Sequence, residues 1–146
     1  MPLAASEDIT RQVIEEFYRA FEQRSVALLR KVVTADWEYI PEPRGAAPGP
    51  DQMAQIFHDI TTALPDMNIT LLDVLIHGDR AAVRAEISGT QTGKLLGIEA
   101  SSKHIQFAIH SFHQLQGNLI AKTWHLEDWL SVFRQLGQLP KTLERG

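Results

Sequence analysis

Asn68-Ile69-Thr70-Leu71-Leu72-Asp73-Val74-Leu75-Ile76-His77-Gly78-Asp79-Arg80-Ala81-Ala82-Val83-Arg84-Ala85-Glu86-Ile87 is the stretch on which the fold turns. Ile69, Leu71, Val74 and Ile76 lead to a Gly78-Asp79 turn, and Ala81 to Ile87 returns as a second extended run. Period-two apolar spacing around such a turn predicts a β-hairpin. Further on, Gly89 to Ser102 is a glycine-punctuated loop. Ile105 to Leu115 and Leu119 to Glu127 form a second hairpin turned by Gly117-Asn118. Gly137 and Pro140 end a last short helix.

Upstream of Asn68 the period is helical. Ile9, Val13, Ile14, Phe17, Tyr18 and Phe21 line one face of a first helix, with Ser6 or Asp8 as its cap. A second helix spans Val26 to Val33, and Trp37 to Ile40 looks extended. Pro41 to Pro50 is too rich in Pro and Gly for regular structure and reads as a loop. Pro50 suits the first turn of a third helix carrying Met53, Ile56, Phe57, Ile60 and Leu64. Helices followed by strands predict an α+β domain over 1–146, with a curved antiparallel sheet packed on three N-terminal helices around an internal pocket.

Composition narrows the function classes. The 146 residues carry a net charge of −4, which argues against nucleic acid as the main partner. There is no cysteine, so disulfides, thiol catalysis and cysteine-bound zinc are excluded. No leader-like segment and no long apolar run is present, so the expectation is a cytoplasmic protein without a membrane partner.

Several motifs stand in a recognisable order: Gly49-Pro50-Asp51, Leu64-Pro65-Asp66-Met67, Gly89-Thr90-Gln91-Thr92-Gly93-Lys94-Leu95-Leu96-Gly97, and Trp124…Asp128…Gln135-Leu136-Gly137. The chain resembles the SnoaL-like polyketide cyclases, or ester cyclases, over nearly its whole length. That resemblance implies a nuclear transport factor 2-like cone, a homodimer, and cofactor-free aldol ring closure on a polyketide ester. It implies an aspartate acid/base seven residues before the motif glutamine, a spacing Asp128 holds to Gln135, and an assisting strand histidine, best matched by His110. Two departures stand out. Ile56 occupies the position of a pocket asparagine, and the second hairpin carries one extra residue, so that Asn118 rather than Gly117 fits the turn glycine's distance to Asp128.

Strand alternation puts Trp124, Leu126 and Asp128 on one face and His125, Glu127 and Trp129 on the other. The Trp124 and Leu126 side is read as the inner one, which makes Asp128 the pocket carboxylate. The competing role for Asp128 is a cap on the last helix. His110 shares a face with Ala108 and Phe112, and His113 with Ile109 and Ser111, so the two cannot ligate one metal without a bulge. No metal is expected. Tyr18, Trp37, Tyr39, Phe57, Phe112 and Trp124 are the expected pocket walls for a small hydrophobic ligand. Three functions follow: a polyketide cyclase-like enzyme, a non-catalytic binding protein on the same fold, or an isomerase, dehydratase or epoxide hydrolase. Two or more inward carboxylates would favour the last.

Overall fold

A computed structural model of the chain describes residues 3–43 and 45–144. Its first helix, α1, runs Leu3–Glu22 and buries Ile14, Phe17, Tyr18 and Ala20. Because α1 begins at Leu3, Ser6 and Asp8 lie within it and neither is its cap. Helix α2 (Val26–Arg30) is capped by Ser25, whose side chain accepts a hydrogen bond from Leu28 N. It stops short of Val33. Lys31 and Val32 make a turn, and β-branched Val33 and Thr34 open strand β1 (Val33–Ile40) instead.

A single turn of 3-10 helix at Pro50–Met53 leads into α3 (Ala54–Ala63). Four strands follow: β2 (Asn68–His77), β3 (Arg80–Thr90), β4 (His104–Gln116) and β5 (Leu119–Glu127). The chain closes with α4 (Trp129–Gln135) and α5 (Lys141–Glu144). Both hairpins form as the sequence predicts. The sheet order is β1-β5-β4-β3-β2. One correction is needed: β1 pairs with β5 in parallel, so the sheet is mixed and not purely antiparallel. The α+β cone itself is the observed fold.

One face of the sheet is inner and the other outer. On β4, Ile105, Phe107, Ile109, Ser111, His113 and Leu115 are buried, while Gln106, Ala108, His110 and Phe112 are exposed. Phe17, Trp37, Leu29 and Val132 join the inner residues in one core.

The glycine loop is a structured seal at the end of α3. Asp66 accepts hydrogen bonds from Thr90 N at 2.7 Å and Thr90 Oγ1 at 2.8 Å. Those bonds hold its carboxyl below the ordinary aspartate range. Gln91 is fully buried. Its Nε2 donates to the Ile98 and Glu99 carbonyls, and Ser101 Oγ donates to its Oε1. A Cβ on Gly93 would sit 2.2 Å from the Thr62 carbonyl oxygen, so only glycine fits there.

Candidate active site

The end of β5 sets the chemistry, and a bulge sets the end of β5. Gln114 pairs with Lys122 but Leu115 pairs with Ile120, which leaves Ala121 without a partner. One extra residue reverses every later side chain. Ile120 and Thr123 are therefore both buried although three positions apart. Beyond the bulge, Thr123, His125 and Glu127 face inward, followed by Trp129 at the start of α4, and Leu126 is 74% exposed. The two faces split as alternation has it, but the inner one is that of His125 and Glu127, not that of Trp124 and Leu126.

The inner residues line a cavity of about 210 Å³. Most of its wall is apolar, including Met53, Ile56, Ile60, Ile87, Phe107 and Trp129. Its polar groups come from α1 and three adjacent strands. They are Tyr18, Tyr39, Ser111, Thr123, His125 and Glu127. Register explains the grouping: Tyr39 lies opposite Thr123, Ser111 opposite His125, and Ile109 opposite Glu127. Glu127 is the one carboxylate among the described residues of this wall.

His125 Nδ1 and Glu127 Oε1 are 2.7 Å apart. His125 Nε2 is 2.9 Å from the Pro41 carbonyl oxygen, which can only accept, so Nε2 carries a hydrogen. Tyr39 stacks on His125 with ring centres 3.7 Å apart, and its hydroxyl donates to Glu127 Oε1 at 3.4 Å. Burial and the neighbouring Glu127 charge push the Tyr39 phenol well above its usual range. Oε1 is thus occupied, while no described donor contacts Glu127 Oε2.

A second polar group lies beside the first. Tyr18 Oη is 2.9 Å from His113 Nε2, and His113 Nδ1 is 2.9 Å from Thr123 Oγ1. Trp37 Nε1 donates to Thr123 Oγ1 at 3.1 Å. Burial alone pushes the His113 imidazole down to about 3, so it is neutral at ordinary pH. Burial raises the Tyr18 phenol above its usual range, with the nearby Ser111 hydroxyl offsetting part of the rise and the Glu127 charge adding to it.

The residues expected at the site divide four ways. Tyr18 and Tyr39 line the cavity. Trp37 and Phe57 are buried in the core outside the cavity wall, where Trp37 holds Thr123. His110, Phe112 and Trp124 lie on the outer face. Phe112 is 62% exposed, and Arg80 sits over the Trp124 ring. Asp128 is exposed and caps α4, its side chain accepting from Ser131 N at 3.1 Å.

The partner in that spacing, Gln135, is also used by the backbone. Its side-chain amide bonds both the N–H and the carbonyl of Gln106, at 3.0 and 2.7 Å. Pairing with β5 proper ends at Ile109 and Glu127, and Asp128 N takes the Ala108 carbonyl. Gln135 then fills the next open place on the β4 edge. Asp128 and Gln135 together dock α4. Glu127, His125, His113 and Thr123 were absent from the expected site. The extra residue in the Gly117-Asn118 hairpin was the one sign in the sequence that the strand's faces could shift, and β5 carries a bulge at Ala121.

Residues 12–136 match the family model described as SnoaL-like polyketide cyclase. Among solved structures, TsrD from Streptomyces laurentii is similar at a TM-score of 0.82 and 26% identity, over 90% of this chain and 97% of that one. A candidate polyketide cyclase from Bacillus cereus gives a TM-score of 0.77 at 22% identity, over 90% and 83%. IdmH from Streptomyces antibioticus, also a candidate polyketide cyclase, gives 0.76 at 20% identity, over 88% and 98%. The last two share the fold. No curated protein is significantly similar in sequence.

Proposed function

This chain belongs to the SnoaL-like polyketide cyclase family, and we propose that it performs cofactor-free acid/base chemistry, an aldol-type ring closure, on a small hydrophobic carbonyl or ester compound. The observation that carries this is Glu127, a carboxylate on the wall of an apolar cavity, held by His125 and Tyr39.

Glu127 Oε2 is the base. It removes a proton from a carbon flanked by carbonyls, leaving an enolate. The enolate carbon attacks a second carbonyl carbon of the same molecule. A C–C bond forms, the C=O π pair becomes an alkoxide, and the proton on Glu127 returns to that oxygen. Atoms and charge balance without a co-reactant. His125 fixes the carboxylate by holding Oε1, so the unoccupied oxygen faces the substrate. The site assignment thereby passes from Asp128 and His110 to Glu127 and His125. With Glu127 as the single carboxylate of the described wall, the isomerase and hydrolase readings gain no support.

The outer face supports a homodimer. Leu75, Ala82, Phe112 and Trp124 are successive cross-strand neighbours, with exposed Leu126 beside them. Such a row on an exposed sheet face suits a second copy of the chain.

The test of the chemistry uses 2-tetralone, a two-ring ketone with acidic α-hydrogens. Deuterium incorporation in D2O, followed by NMR, is expected to run faster with the protein than in buffer. Binding without accelerated exchange would favour the non-catalytic reading.

A further inference from the structure

The Trp37–Thr123–His113–Tyr18 chain has a direction, and the indole sets it. Trp37 Nε1–H can only donate, so Thr123 Oγ1 accepts from it. Thr123 has one hydrogen of its own. Among its described contacts the one group able to accept it is His113 Nδ1, 2.9 Å away. A neutral imidazole that accepts at Nδ1 carries its hydrogen on Nε2. That hydrogen points at Tyr18 Oη, 2.9 Å away. Tyr18 therefore accepts from His113, and its own O–H is left for the groups at the cavity wall, Ser111 or a ligand. Tyr18, Ser111 and Thr123 all line the cavity, whereas Trp37 and His113 stand outside its wall.

We infer that Trp37, through Thr123 and His113, orients the chain so that the Tyr18 hydroxyl is a hydrogen-bond donor to the carbonyl oxygen of a ligand in the cavity. Tyr18 is the group that touches the ligand. Trp37, Thr123 and His113 are positioning residues. A donor preset toward a carbonyl oxygen stabilises the enolate oxygen that forms when an α-proton leaves. The role of Tyr18 toward a ligand rests on the carbonyl reading given above, but the direction of the chain does not.

Two measurements separate these. In 15N-labelled protein without ligand, long-range 1H–15N NMR is expected to find His113 protonated at Nε2 and bare at Nδ1. A hydrogen on Nδ1 overturns the chain whatever the cavity binds. In the second, 2-tetralone and tetralin, which lacks the oxygen, are titrated in parallel. The wild type is expected to bind the ketone about tenfold more tightly, the worth of one buried hydrogen bond. Tyr18→Phe removes that preference and leaves tetralin affinity unchanged. Trp37→Phe, one layer behind the wall, lowers the preference too, since the chain can then reverse. Equal affinity of the two probes for the wild type, or a preference that survives in Tyr18→Phe, overturns the role of Tyr18.

Discussion

Glu127 Oε1 and His125 Nδ1 lie 2.7 Å apart on the inner face of β5. They are two positions apart, so a regular strand puts them on one side, and the bulge at Ala121 decides that this side is the cavity. Pro41 O holds the other imidazole nitrogen. The pair is thus tied to the segment after β1 as well as to its own strand.

Deleting Ala121 restores even alternation. Ile120 and Thr123 would then stand two positions apart, so Thr123, His125 and Glu127 keep their inward faces without a bulge. The expected outcome is a retained cooperative thermal transition, read by circular dichroism. Loss of that transition would show that more than side-chain alternation depends on the extra residue.

His113 makes stability pH-dependent. The unfolded histidine takes up a proton near its usual 6.5, and the folded one resists until about 3. Between these values the unfolded state binds more protons, so stability falls as pH falls. From pH 6.5 to 5 the loss is about 2 kcal/mol. Asp66 does not confuse this window. Its value is lowered by Thr90, so its contribution is lost only at still lower pH. Urea unfolding at both pH values should show the slope in the wild type and a flatter one in His113→Gln.

Gln135→Ala leaves both backbone groups of Gln106 without their side-chain partner. A stability loss of about 1–2 kcal/mol is expected. Faster amide exchange should be focused on Gln106 and α4, and uniform exchange across the sheet would argue against the docking role.

Leu126 is 74% exposed on the outer face, so Leu126→Glu should leave the fold intact. Sedimentation velocity is expected to show a dimer for the wild type and a monomer for the variant. A monomeric wild type would remove the dimer reading.

Much of the architecture was legible in sequence because it rests on period. The stripe Ile14, Phe17, Tyr18 and the Gly78-Asp79 turn each announce one element. β1 was harder, since parallel pairing with β5 joins segments about 85 residues apart and leaves no local pattern. The site was legible to within one residue and no closer. Trp124 and Leu126 looked like inner residues because they are apolar, yet they sit on an outer face that is itself apolar. Asp128 carried a spacing that here serves α4. The hairpin's extra residue was visible, but sequence alone does not say which position bulges.

Deuterium exchange into 2-tetralone, run with Glu127→Gln and Asp128→Asn side by side, tests the central claim most directly. Removing the base should slow the protein-dependent exchange by about 100-fold or more. Asn caps a helix about as well as Asp, so Asp128→Asn should stay within about twofold of wild type. Exchange lost in Asp128→Asn and kept in Glu127→Gln would contradict the account.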